Sequence, residues 1–167
     1  MNIIDYLKKY KKNDDIIKDI GKSSLESIKT GHIDSMNDFA EINSKYNFKI
    51  LAVDDDEVNL YVLTNYMNLE KINIDTTFNP EEALWKIEKN NYDVVLLDIM
   101  MPKISGYDIC LKIREQFSLS QLPVIMLTAK NDIQNIVRGF ECGANDYITK
   151  PFAYEELMGR IKNMLML

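Results

Sequence analysis

Val94-Val95-Leu96-Leu97-Asp98 runs four apolar residues, two of them β-branched, straight into one carboxylate. A run that short and that apolar reads as a strand buried on both faces, the kind found inside a parallel sheet. Ile99-Met100-Met101-Pro102 and then Ser105-Gly106 follow, so the strand ends there and the chain turns. A carboxylate at the end of a buried strand is costly to desolvate unless something pairs with it.

Outward from this strand the pattern repeats. Lys49-Ile50-Leu51-Ala52-Val53 ends in Asp54-Asp55-Asp56-Glu57, Pro123-Val124-Ile125-Met126-Leu127 ends in Thr128-Ala129, and Asp146-Tyr147-Ile148-Thr149 ends in Lys150-Pro151. Residues 72–77 alternate like a strand near an edge. Helical spacing fills the gaps. Val58, Tyr61, Val62, Asn65, Tyr66 and Leu69 share one spacing. Asn79-Pro80-Glu81-Glu82 is a helix start with cap, first-turn proline and acids at the positive end of the dipole, and it carries Ala83, Leu84 and Ile87 inward. Ile109, Cys110 and Ile113 form the next face, some of Ile133, Ile136, Val137 and Phe140 the one after, and Leu157, Ile161, Met164 and Leu165 the last. Trp85 and the methionines read as packing residues. Alternation of five strands and helices over about 120 residues predicts an α/β fold, a doubly wound parallel sheet with helices on both faces. Neither Gly-x-Gly-x-x-Gly nor Gly-x-x-x-x-Gly-Lys-Ser/Thr occurs, so a nucleotide-binding loop is not indicated.

Residues 1–46 differ from the rest. They hold 8 Lys against 6 Asp and 2 Glu, so the whole formal charge of −6 sits on residues 47–167. Ile3, Ile4 and Leu7, then Ile16, Ile17 and Ile20, then Met36, Phe39, Ala40 and Ile42 suggest helical pieces broken at Gly21 and Gly31, read here as a helical N-terminal arm or linker. His32, the single histidine, reads as a surface or capping residue, because it lacks the neighbours of known phosphorylated histidines. The acidic balance argues against direct nucleic-acid binding and against an anionic membrane surface. No stretch approaches the roughly 18 apolar residues of a spanning helix. The first residues lack a secretory signal, which predicts a cytoplasmic protein. Cys110 and Cys142 read as buried free thiols.

In an open parallel sheet, ligands sit beyond the C-terminal strand ends. There the first strand delivers Asp54 and Asp55, the third Asp98, the fourth Thr128 and the fifth Lys150, while the second ends in Thr77-Phe78 and offers nothing comparable. Three crowded carboxylates repel one another, and a hard divalent cation removes that conflict. Oxygen ligands without His or Cys favour Mg²⁺ or Mn²⁺ over zinc, and Mg²⁺ is commonly completed by phosphate oxygens. Lysine and threonine are suitable donors to a phosphoryl group. The set therefore suits metal-assisted phosphoryl transfer to or from a carboxylate.

These same residues carry a family resemblance. Val53-Asp54-Asp55-Asp56, Leu97-Asp98-Ile99-Met100-Met101-Pro102, Leu127-Thr128-Ala129-Lys130 and Tyr147-Ile148-Thr149-Lys150-Pro151-Phe152 resemble the receiver domain of bacterial two-component response regulators, over about residues 48–167. The resemblance implies a flavodoxin-like sheet of order 2-1-3-4-5. It implies that Asp98 is the phosphorylated aspartate, with a histidine kinase or phosphotransfer protein as donor. Asp55, Asp98 and the backbone carbonyl of Met100 would bind Mg²⁺ directly, and Asp54 mainly through water. Thr128 would hydrogen-bond the phosphoryl group, Lys150 would pair with it, and Tyr147 would be the switch aromatic. Lys150-Pro151 would be a cis peptide. A signalling domain of this kind is not an enzyme beyond its own phosphoryl transfer and autodephosphorylation. Output would pass through the 132–165 face to a homodimer mate, or to a fused cyclase or kinase domain in a longer parent protein.

A second reading is open at Asp54-Asp55-Asp56-Glu57-Val58, which also fits the Asp-x-Asp-x-Thr/Val nucleophile motif of haloacid-dehalogenase-like phosphatases. Asp54 would then be the nucleophile and Asp56 the acid/base. That family needs a later acidic pair, where this chain offers the single Asp98. A third reading is a receiver used only for docking; the complete acid, Thr and Lys set argues against it.

Overall fold

Alternate residues of the central strands enter two different cores. Ile50, Ala52, Val94, Leu96, Ile125 and Leu127 face one side, and Leu51, Val53, Val95, Leu97, Val124 and Met126 face the other. Every one of them is buried, which is why the strands read as unbroken apolar runs rather than as alternating ones. The structure, a computed structural model, describes residues 35–129, 137, 138 and 140–166. The arm's first two helical pieces and His32 lie outside these residues.

The elements are α1 (Ser35–Tyr46), β1 (Lys49–Val53), α2 (Glu57–Leu69), β2 (Asn73–Thr77), α3 (Pro80–Lys89), β3 (Val94–Asp98), α4 (Gly106–Arg114), β4 (Val124–Ala129), β5 (Asp146–Lys150) and α5 (Tyr154–Leu165). The five strands form one parallel sheet in the order β2-β1-β3-β4-β5. The predicted doubly wound α/β architecture and its 2-1-3-4-5 order are therefore observed. Phe39 and Ile42 of α1, Leu60, Leu63 and Met67 of α2, and Leu157, Met158, Ile161 and Leu165 of α5 cover one face. Ala83 and Ile87 of α3 and Ile109, Cys110 and Ile113 of α4 cover the other.

Local chemistry starts the helices where the sequence places them. Asn79 caps α3 by accepting from the backbone N–H of Glu81 and Glu82 at 2.8 and 3.2 Å, with Pro80 in the first turn. Ser105 and Asp108 form a reciprocal capping box at α4. Gly106 opens that helix directly against the end of β3, where an added Cβ would overlap the Asp98 carbonyl oxygen.

Helix α1 is held by more than apolar contact. The buried Asn43 side chain donates to the carbonyls of Glu70 and Lys71 at 3.3 and 2.9 Å and accepts from the Phe48 N–H at 3.3 Å. Phe39 stacks on Phe48, and the Lys162 ammonium lies over the Phe39 ring.

Three expectations about packing are corrected. Helix α2 turns Leu60, Leu63 and Met67 inward, whereas Val58, Tyr61 and Leu69 of the predicted stripe are exposed. The helix carries two apolar stripes. The short connection from β1 and the Asp56 cap, which accepts from the Val58 N–H at 2.9 Å, fix its rotation so that the second stripe faces the sheet. Trp85 is 57% exposed on α3 rather than packed, because Ala83 and Ile87 already occupy the inward side. Of the residues of which some were expected inward, Val137 and Phe140 are exposed and Ile133 and Ile136 lie outside the described residues, so that expectation is not among the three. Met100, 69% exposed, departs from the packing role given to the methionines.

Candidate functional site

The register of the sheet sets the site. Val53 pairs with Leu97, Asp98 with Leu127, and Ala129 with Lys150, so the polar residues that end β1, β3, β4 and β5 emerge at one edge. Asp54, Asp98 and Thr128 are buried there, and Asp55 is exposed. One carboxylate oxygen each from Asp54, Asp55 and Asp98 lies within 4.8 Å of the others. Lys150 reaches across from β5, with its ammonium 2.7 Å from Asp54 Oδ2 and 2.8 Å from Asp98 Oδ1.

Asp54 is the most tightly held of the three. Its Oδ1 accepts from the Asp56 N–H at 2.9 Å and from Asn59 Nδ2 at 3.3 Å. Its fully buried Oδ2 meets no donor in hydrogen-bond geometry, although the Lys150 ammonium sits beside it. Proximity without alignment leaves that oxygen attracted to the charge and still short of a ligand. A buried carboxylate oxygen in that state, with two further carboxylates beside it, is a donor set that fits a hard cation.

Charge and burial shape the titration of the pair. Burial pushes the Asp98 carboxyl up; the Lys150 hydrogen bond pulls it down, and the neighbouring Asp54 and Asp55 push it up again, so it ends above the ordinary aspartate value. For Lys150, burial disfavours the ammonium, but the Asp54 and Asp98 carboxylates paired with it outweigh that, and its pKa is raised.

The remaining predicted residues stand as follows. The Thr128 hydroxyl donates to the carbonyl of Ala129 at 3.2 Å, while its residue pairs with Thr149 at the same sheet edge. Tyr147 lies on β5, half-buried, three residues before Lys150. Its ring meets Phe140 edge-on with centroids 5.9 Å apart and sits beneath the Arg160 guanidinium, so the structure places it beside Phe140 and α5 rather than in the acidic cluster. The Lys150-Pro151 peptide is cis. Asp56 spends its carboxylate on the cap of α2. Two contributors escaped the sequence reading. Asn59, one turn into α2, hydrogen-bonds Asp54, and Gly106 lets α4 approach Asp98; the first was hidden because a lone helix Asn carries no signal.

A family model for the response regulator receiver domain matches residues 50–162. The chain belongs to that receiver family. Among curated relatives, the receiver is 44% identical over 117 residues to the transcriptional regulatory protein ResD of Bacillus subtilis, covering 70% of this chain and 48% of that protein. The chain thus spans about half the length of the curated relatives it matches. Among solved structures, a response regulator from Chloroflexus aurantiacus superposes with a TM-score of 0.67 at 38% identity, over 72% of this chain and 98% of that one. A two-component system response regulator/GGDEF domain protein superposes with a TM-score of 0.73 at 26% identity, over 78% of this chain and 53% of that one. The predicted family and its signalling role as a two-component receiver domain are therefore shown. Among the described residues, no helix is long and apolar enough to cross a membrane.

Proposed function

We propose that Asp98 accepts a phosphoryl group from a histidine kinase or phosphotransfer protein and that the modified receiver controls an output domain. The observation that carries this reading is the Lys150 ammonium bridging two buried carboxylates, Asp54 at 2.7 Å and Asp98 at 2.8 Å. An Asp98 carboxylate oxygen attacks the phosphorus of the donor, the bond from phosphorus to the donor's imidazole nitrogen breaks, and the imidazole leaves with the electron pair. The product is an acyl phosphate on Asp98. Asp54, Asp55, Asp98 and the Met100 carbonyl would hold Mg²⁺, which supplies charge neutralisation between phosphoryl oxygens and carboxylates.

Lys150 holds the Asp98 carboxylate in place before transfer and pairs with the phosphoryl oxygens after it. Thr128 is one residue from the edge and exchanges a weak local hydrogen bond for one to the new anion. That exchange, together with Tyr147, relays the change to the 137–142 segment and α5, biasing an equilibrium between two packings. The relayed face, residues 132–165, is the proposed homodimer or output contact. The solved relative with a GGDEF domain supports a fused output as one form of it. The phosphatase reading with Asp54 as nucleophile and Asp56 as acid is disfavoured, since Asp54 is fully buried and Asp56 caps a helix.

The test is intact mass after incubation with acetyl phosphate and Mg²⁺. A gain of about 80 Da, absent without Mg²⁺ and absent in Asp98→Asn, is the expected result. A gain that survives Asp98→Asn and disappears in Asp54→Asn would overturn the assignment.

A further inference from the structure

The Asp54 carboxylate is held unevenly. Its Oδ1 takes two donors, the Asp56 N–H at 2.9 Å and the Asn59 amide nitrogen at 3.3 Å. Its Oδ2 has the Lys150 ammonium 2.7 Å away and no aligned donor. The last side-chain torsion of an aspartate is broad and roughly two-fold, so the carboxylate plane turns easily. One donor pins one point and leaves that rotation open. Two donors on the same oxygen, one from the backbone and one from a helix side chain, close it. They also decide which oxygen is left for Lys150 and for a cation.

The start of α2 delivers the second donor. The Asp56 carboxylate caps the helix by accepting from the Val58 N–H, which places Asn59 third in the helix and half-buried, able to reach back to the end of β1. Leu60, the next residue, is buried in the core. An amide suits this position because it donates without changing the charge of the cluster, which already holds three carboxylates and one ammonium. A lysine or arginine at 59 would neutralise Asp54 and compete with a cation. An aspartate or glutamate would add a fourth negative charge and, ionised, could not donate.

We propose that Asn59 is a positioning residue for the divalent-cation site: by fixing Oδ1 of Asp54 it presents Oδ2 in advance and so sets the affinity for Mg²⁺. The inference rests on the Mg²⁺ reading above. A ligand oriented beforehand spares binding the cost of ordering it. Groups that orient a metal ligand are worth about 10–100-fold in metal affinity. Asn59 acts through one neutral bond of 3.3 Å and shares the task with the Asp56 N–H, so the low end of that range is expected. The effect falls on binding and not on phosphoryl transfer, because a bound cation itself holds the carboxylate once it is in place.

The test uses the full chain and Mg²⁺ alone, without a phosphodonor. Urea unfolding is followed over a series of Mg²⁺ concentrations for the wild type, Asn59→Ala, Asn59→Leu and Asn65→Ala. A cation that binds only the folded state stabilises it by mass action, so stability rises with Mg²⁺ from a concentration set by the affinity. In Asn59→Ala and in Asn59→Leu, which keeps the bulk of the side chain, that rise is expected at about tenfold higher Mg²⁺. A merely structural role would lower the whole curve without displacing it along the concentration axis, and that result in the two variants would overturn the proposal. Asn65 lies exposed on the same helix, and Asn65→Ala is expected to leave the position of the curve unchanged; an equal displacement there would also overturn it. At saturating Mg²⁺, labelling of Asn59→Ala by acetyl phosphate is expected within about twofold of the wild-type rate. A loss that saturation does not recover would place Asn59 in the transfer step and overturn the assignment to binding. A wild type whose stability ignores Mg²⁺ would remove the metal reading and this inference with it, whereas a responsive wild type with undisplaced variants would remove only the role of Asn59.

Discussion

The two ends of the same sheet are built on opposite terms. At the N-terminal end, α1 closes the structure with stacked Phe39 and Phe48, and its buried Asn43 has both its amide nitrogen and its oxygen hydrogen-bonded. At the C-terminal end, three carboxylates crowd together, two of them on one lysine, and a buried oxygen of Asp54 is left without an aligned donor. Satisfied polar groups contribute modestly to stability, whereas unsatisfied or crowded ones cost it. The comparison teaches where this domain keeps its stability and where it gives some up in order to bind.

Removing Lys150 is the strongest test of that contrast. Lys150→Ala leaves the buried Asp54 and Asp98 charges uncompensated, and the expected loss is about 3–5 kcal/mol in urea denaturation. Mg²⁺ is expected to recover part of it in the variant, and a loss of similar size that Mg²⁺ does not touch would show that Lys150 is only a packing element. Asn43→Ala removes the side-chain bonds to the Phe48 N–H and to the Glu70 and Lys71 carbonyls, for an expected loss of about 1–3 kcal/mol that Mg²⁺ leaves unchanged. If Mg²⁺ restored that variant as well, the two ends would not be energetically separate.

The smallest effect is at Asp98 itself. Its carboxyl titrates higher folded than unfolded, so between the two values the folded state binds more protons, and stability falls as pH rises through that window. Asp98→Asn is expected to remove this fall and to melt a few degrees higher than the wild type at neutral pH without Mg²⁺. Thermal melts across the acid range check it; a variant that melts lower at neutral pH would mean that the Lys150 contact outweighs the cost of the buried charge.

Much of this is legible in the sequence. Buried strands of a parallel sheet must be apolar on both faces, so each one is visible as a run, and its first charged or hydroxyl residue marks the edge where the site forms. Asp54, Asp98 and Thr128 follow that rule, whereas Lys150 closes the half-buried β5, where Thr149 precedes it. What stayed hidden depends on rotation and on contacts across long separations. Helix α2 offers two apolar stripes, and only the Asp56 cap and the β1 connection choose between them. Trp85 looks like core by composition, yet the helix has no room for it inside. Arg114 shows no pattern at all, because its acceptors are backbone carbonyls and Asn145, 29 to 31 residues away at the far end.

Gly106 has a mechanical consequence. With α4 seated on the Asp98 carbonyl and the Gly106 N–H bonded to Ile99, the peptide that carries Asp98 has a stop behind it. Any load placed on the Asp98 side chain therefore cannot be relieved by recoil of its own strand. The displacement is delivered to the neighbours that can still give, and the anvil, not the hammer, is what makes the stroke useful.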